Sequence, residues 1–246
     1  MSNSKIVVND LIILGNACPD ELKDHRIAVC TAGYSPTYGL IRVYPVPPRS
    51  QPKRWTKIEV PLERNPTDAR SASWKIEGSK GEWDRLHEKI IVKGKVEDRS
   101  EQIALVDMMQ REFGVNCVED LNGKKASLGM IEPNILAWDL APRDEVDSST
   151  QSTLTGEVGF WTKKNYPYKP MVTYRCPSCR TVKPHHQQIV EWGVYEWMRH
   201  NTGKESNVWE NLRFGEKGYR FNFLVGNQAL YPTSFMVISV FRWKAA

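Results

Sequence analysis

No stretch of the 246-residue chain stays apolar for the roughly 20 residues that a helix needs to cross a bilayer, which excludes a helical membrane span. The first residues, Met1 to Lys5, lack the charged-then-apolar pattern of a secretory signal, which points to a cytoplasmic protein with no membrane partner. Cysteine is scarce, with five residues and a single close pair. An odd, scattered set of this kind points to a reducing compartment and argues against a disulfide framework. Glycine-rich signatures are missing too. There is no Gly-x-Gly-x-x-Gly, no phosphate loop and no Gly-x-Ser-x-Gly elbow, so three common routes to nucleotide or acyl chemistry have no foothold. No internal repeat or low-complexity tract is present, and no carboxylate occurs between Lys217 and Ala246.

What is present describes a globular chain, with 40% hydrophobic and 26% charged residues. The net charge of +5 is unevenly spread. Residues 151–246 carry 13 Lys+Arg against 6 Asp+Glu, a net of +7, which leaves 21 against 23, a net of −2, for residues 1–150. A basic C-terminal part beside a mildly acidic N-terminal part suggests a surface for a polyanion.

Short apolar or alternating runs punctuated by Gly and Pro predict strands over Lys5–Gly15, Arg26–Gly33, Tyr38–Pro45 and Trp55–Leu62, and together suggest a small barrel or strongly curled sheet. Residues 63–80 read as a polar loop, and Trp83–Ile91 and Ser100–Phe113 as helical. In the second of these, Ile103, Val106, Met109 and Phe113 recur at helical spacing, the pattern of a core-packing face. Leu128–Leu140 reads as a strand pair around Pro133-Asn134. Asp144–Thr155 is polar and Ser/Thr-rich and predicts a linker. The expected organisation is therefore an α+β protein with a β-rich barrel domain plus appended helices over 1–143, a linker over 144–155, and a basic α+β domain over 156–246. That last part ends in strands over Tyr219–Val225 and Ser234–Arg242.

Chemistry concentrates between Met171 and His200. Cys176-Pro-Ser-Cys179 has the spacing of a metal knuckle, in which two thiolates on one tight turn share a tetrahedral ion. His185 and His186 are the candidate further ligands for zinc, with the missing fourth to come from Cys18, Cys30, Cys117 or His200. A helix is predicted from His185 onward. On it, Glu191 and Glu196 lie about 140° apart at roughly 100° per residue, so they cannot jointly present one metal pair. His185, His186, Glu191 and Glu196 are the candidate groups of an alternative, metal-assisted nuclease.

Just upstream, Gly156–Pro170 interleaves lysines with aromatic rings. Trp161, Lys163, Lys164, Tyr166 and Lys169, extended by Arg175, Arg180 and Lys183, have the composition of a surface that contacts phosphates and stacks unpaired bases. Gly226-Asn227 between the last two strands reads as a left-handed turn, with Asn227 and Gln228 able to meet a base edge.

Val29-Cys-Thr-Ala-Gly33 followed by Gly39-Leu-Ile-Arg-Val-Tyr-Pro45, the block Trp55–Leu62 with Arg64–Ser73, Ile189-Val-Glu-Trp192 with Glu196, and Phe223-Leu-Val-Gly-Asn227 with Phe235–Phe241 resemble the blocks of a bacterial family of uncharacterised proteins often found near mobile or phage-defence genes. The resemblance implies an OB-like or related small barrel at the N-terminus. The sequence thus points to a cytoplasmic nucleic-acid-binding protein, DNA or RNA, as a recognition component of a defence or processing system. Alternatives are a metal-dependent nuclease or a non-catalytic subunit of a larger protein complex, with the nine tryptophans as partner anchors.

Overall fold

The computed structural model describes residues 4–66, 68–146 and 160–245. The chain opens with β1 (Lys5–Asn16), β2 (Asp20–Glu21), β3 (Ile27–Ser35), β4 (Gly39–Val46), β5 (Thr56–Arg64) and β6 (Ser73–Ile76). Five of these, β1, β3, β4, β6 and β5, pair in that order, and β1 pairs back onto β5, so the sheet closes into a barrel. Closure removes free strand edges. The β4–β6 contact is parallel and the other ring contacts are antiparallel. Val8, Leu11, Ile13, Ile41, Val43, Ile58, Val60 and Leu62 fill the interior, as period-2 alternation requires. The strand that closes the ring, β6, lies inside the stretch read as a polar loop. With only Trp74 and Ile76 supplying inward side chains, it is too short to carry an alternating signal. The segment expected to be helical over 83–91 is instead a 3-10 turn, Lys80–Lys89, held at its start by a Ser79–Glu82 capping box, followed by β7 (Ile91–Lys95) on the far side of β5.

Next come α1 (Arg99–Phe113), α2 (Glu119–Gly123), β8 (Leu128–Ile131), β9 (Asn134–Pro142), β10 (Tyr168–Arg175), β11 (His185–Gln188), α3 (Trp192–His200), α4 (Val208–Leu212), β12 (Tyr219–Asn227) and β13 (Phe235–Lys244). α1 starts where the Asp98 carboxylate accepts the Glu101 amide at 2.9 Å, and it buries Val106 and Met109. Two three-stranded antiparallel sheets follow, β11-β10-β9 and β13-β12-β8. β8 and β9 are therefore not a pair: they diverge at Pro133 into different sheets. Both sheets are completed by strands after residue 160, so β8 and β9 belong with the C-terminal part and not with the barrel domain expected over 1–143. Most of the expected linker, 147–155, lies outside the described residues.

The helix expected from His185 begins only at Trp192. Residues 185–188 extend instead, because their backbone completes the edge of β10 through the pairs Tyr174↔His185 to Met171↔Gln188. The two lobes share a core built from Ile12, Leu14 and Tyr34 of the barrel, Val106 and Met109 of α1, and Leu224, Ile238, Phe241 and Trp243 of the last sheet. A backbone bond crosses the same junction: the Cys18 amide donates to Val190 O at 2.7 Å, and Val190 is in turn tied to the last sheet by its amide, which donates to Val237 O at 2.8 Å.

Candidate metal centre and cationic cavities

The β10–β11 hairpin ends in the turn that carries Cys176 and Cys179, and His185 is the first residue of the returning strand. Against this turn packs the loop before α2. The Ser178 amide donates to Asn116 O at 3.0 Å, and the Val118 amide donates to Cys176 Sγ at 3.4 Å. The docking brings in Cys117. Its sulfur lies 3.6 Å from His185 Nε2, and the Cys179 sulfur lies 3.3 Å from the same nitrogen. The ligand atoms of Cys117, Cys176, Cys179 and His185 all fall within 4.8 Å of one another, so the four form a Cys3His cluster that could hold a metal ion.

The cluster is buried, with Cys117 at 0%, Cys176 at 4% and His185 at 8% exposure. Burial pushes the Cys176 thiol up to about 12 and lowers the His185 imidazole, because each charged form is poorly solvated there. At Cys179 burial acts upward too, but hydrogen bonds led by that to the Thr181 hydroxyl hold the thiol below its ordinary value. His186, expected as a ligand, points away and bonds Thr173 Oγ1 at 2.9 Å. Alternation along β11 sends successive side chains to opposite faces, so two adjacent histidines cannot both face the turn.

The alternative catalytic set is not assembled. Glu191 pairs with Arg54 and accepts the Val240 amide at 2.7 Å, while Glu196 accepts the Tyr166 hydroxyl at 2.6 Å and pairs with Arg199 at 2.7 Å. Among the described residues, no other cluster of three or more His, Cys, Asp or Glu side chains has the spread of a metal site.

The lysine and aromatic segment is also redistributed. Tyr166 is 1% exposed and packs its ring on Tyr195, so it cannot stack on a base; Trp161 lies half-buried edge-on against Tyr166. Lys163 bonds Asp20 at 3.0 Å and Lys164 bonds Glu21 at 3.3 Å, pinning the segment to β2. Arg175 donates to Val182 O at 2.9 Å inside the knuckle turn, and Arg180 pairs with Asp120 at 3.3 Å. Lys169 is half-buried on β10 and Lys183 is exposed, and neither has a carboxylate partner among the described residues.

Cationic concavities lie elsewhere. One cavity of about 460 Å³ is lined by Lys23, Asp24, Arg26, Tyr44, Lys75, Lys80 and Trp83, with the Arg26 guanidinium 4.4 Å over the Trp83 ring. A second, of about 270 Å³, is lined by Asp20, Cys30, Arg42, Tyr44, Arg70, Lys163, Asn227 and Gln228, between the outer face of β3–β4 and the end of β12. Tyr44 lines both, and its burial pushes the phenol up to about 12, so it stays an uncharged donor.

Arg42, 2% exposed, crosses the lobe junction and donates to Asn227 O and Ser127 O, each at 2.7 Å. Arg70 adds a bond to Asn227 O at 2.8 Å while gripping Asp68 through two bonds of 2.8 and 2.6 Å. Burial acts to raise the Asp68 carboxyl, but the bonds from Arg70 and Ser73 win and hold it at about 2. Gly226 and Asn227 are part of β12 and not a left-handed turn. The glycine is needed for close approach: a Cβ there would lie 2.5 Å from Ile238 Cδ1 and 2.6 Å from Arg42 Nη2. A third cavity, about 280 Å³, is lined by Arg54, Trp55, Arg99, Gln102, Arg213, Tyr219 and residues 240–243.

Cys117 carried no local motif, being far from the knuckle in sequence; only its being one of three cysteines left over made it a candidate. The arginines of the third cavity come from four separate segments, and the one signal for them is the absence of carboxylates after Lys217.

Residues 116–246 match the family described as Domain of unknown function (DUF8757), and residues 8–105 match Domain of unknown function (DUF8758). The first of these matches spans more than half of the chain, and the chain belongs to that family. The two matched ranges meet between residues 105 and 116, at the end of α1. No curated protein matches the chain.

Proposed function

We propose that the protein binds single-stranded nucleic acid along the groove formed by the two cavities that meet at Tyr44, and that a zinc ion in the Cys3His cluster holds the lobe that forms one wall of this groove. The groove carries the reading. Lys23, Arg26, Lys75, Lys80, Arg42, Arg70 and Lys163 line it, while the carboxylates that pair with them are Asp24, Glu63, Asp68 and Asp20. Cations outnumber their partners, so a polyanion gains what the local carboxylates leave unmatched. Tyr44 and Trp83 supply ring surface beside the charges, as base stacking requires.

We read the barrel as OB-like. With β2 and β7 set aside as additions, the ring order places the fifth ring strand beside the third, in parallel, and returns the fourth to the first. The groove then runs over the outer face of the second and third ring strands, the face through which such barrels bind oligonucleotides.

Three thiolates and one imidazole suit zinc, and a complete set of four protein ligands is that of a structural site, with no position left for water or substrate. Metal-assisted cleavage draws no support from His186, Glu191 and Glu196, whose partners hold them apart. In fluorescence anisotropy with a single-stranded oligonucleotide, Lys23→Ala and Lys80→Ala are each expected to weaken binding and to lower the salt slope by about one. Tyr44→Ala should weaken it with the slope unchanged. No binding to DNA or RNA strands at low salt overturns the reading.

A further inference from the structure

Away from the groove, on the other side of the lobe junction, lies the third cavity, of about 280 Å³. Four arginines line it: Arg54 from the segment before β5, Arg99 from the first turn of α1, Arg213 from the residue after α4, and Arg242 from β13. Their partners are unequal. Arg54 pairs with Glu191 and lies 5.2 Å over the Phe241 ring. Arg213 pairs with Glu216 at 3.2 Å. Among the described residues Arg99 has no carboxylate within ion-pair distance and lies over the Trp243 ring, at 5.3 Å, and Arg242 has none either. Asp98, beside Arg99 in sequence, is spent on the helix cap, accepting the Glu101 amide and the Ser100 hydroxyl. The indole N–H of Trp243, 4% exposed, is buried without a partner among the described residues.

Like charges converging without counter-charges are costly, and the cost is highest for a half-buried group. Burial indeed lowers the Arg242 guanidinium, with Arg54 and Arg213 adding to the effect and Glu191 opposing it. Two of the four positive charges are matched by carboxylates and two are not. We propose that this cavity is a binding site for a phosphate-class anion, held by Arg99 and Arg242 with Arg54 and Arg213 at its flanks. Guanidinium forks match phosphate oxygens in pairs, and the ring surfaces of Trp55, Phe241 and Trp243 exclude water beneath them. Because Arg54 and Arg99 come from the N-terminal half and Arg213 and Arg242 from the C-terminal lobe, an occupant bridges the two.

The phosphate has two possible sources, a small phosphorylated molecule or the backbone of a bound strand, and the experiment separates them. Inorganic pyrophosphate and a single-stranded oligonucleotide are titrated in parallel, by calorimetry and anisotropy, against the full-length protein and the variants Arg99→Gln, Arg99→Gln/Arg242→Gln and Lys23→Ala. Pyrophosphate should bind the wild type and bind the double variant at least tenfold more weakly. Arg99→Gln alone, on an exposed helical position, should weaken it several-fold with an unchanged melting temperature, which separates lost binding from lost folding. If only the oligonucleotide senses the double variant, the phosphate is that of a strand and the site stands. Lys23→Ala should affect the oligonucleotide alone. Pyrophosphate binding with no strand binding would remove the groove reading and leave this site intact. If neither probe distinguishes the wild type from Arg99→Gln/Arg242→Gln, the assignment is overturned.

Discussion

The two lobes solve the same problem differently. The barrel closes on itself: every ring strand has a neighbour on both sides, and its interior is filled by side chains of β1, β4, β5 and β6 with Leu86 of the adjoining 3-10 turn. The C-terminal lobe has two open three-stranded sheets and short helices, and its core is assembled from residues as distant as Val115 and Val240. Its hairpin turn at Cys176–Cys179 and the loop at Cys117 meet through the Ser178–Asn116 backbone bond, the Val118 amide on the Cys176 sulfur and the cluster of sulfur and imidazole. A ring held by its own ladder has little need of a staple. An open assembly stitched from distant segments gains most from one.

This contrast breaks most visibly at the metal centre. Chelation, or Cys176→Ser, should lower the melting temperature by on the order of 10 °C, since a structural zinc contributes folding energy directly. Hydrogen exchange should rise in β10, β11 and α2 while β1, β3 and β5 keep their protection, and elemental analysis should find one zinc per chain. Equal loss of protection in the barrel would show that the lobes are a single cooperative unit.

The next largest effect is expected at the seam between them. Arg42→Met removes two bonds from a buried charged donor and should cost about 2–4 kcal/mol in urea denaturation. It should also split one transition into two if Arg42 is what couples the lobes.

A smaller effect, in pH, sharpens the role of the neighbouring pair. The Asp68 carboxyl sits at about 2 in the folded protein, below the ordinary value of about 4 for an unfolded chain. A folded pKa below the unfolded one adds stability that is complete above the unfolded value and is lost as pH falls toward the folded one. Denaturation midpoints should therefore drop between about pH 4 and pH 2, and Asp68→Asn should flatten that slope. The smallest effect is expected for Lys164→Ala: its ion pair with Glu21 is solvent-exposed, and the melting temperature should not move measurably.

The barrel was largely legible because its strands carry their signal locally. Ile41 and Val43 inward against Arg42 and Tyr44 outward is a period-2 pattern that any half-buried strand shows. α1 was legible for the same reason, through Val106 and Met109. β6 was not, since four residues hold too few alternations, and the extension of residues 185–188 leaves no local signal because β10 imposes it and not their own preferences. In the candidate site, Cys176, Cys179 and His185 share one hairpin and could be named together. Cys117 could not be chosen over Cys18 or Cys30, because the choice depends on which loop docks against the turn. The aromatic and basic run near Tyr166 had a binding composition, yet Asp20 and Glu21 neutralise its first lysines from a strand that sequence reading passed over.

Taken alone, the sequence determined the local periods, the knuckle spacing and the excess of positive charge after residue 150, all properties of neighbours along the chain. Which sulfur completes the cluster, which cations keep a counter-charge and which stand without one were decided only by tertiary structure. Those outcomes depend on distances between segments that covalent order does not constrain.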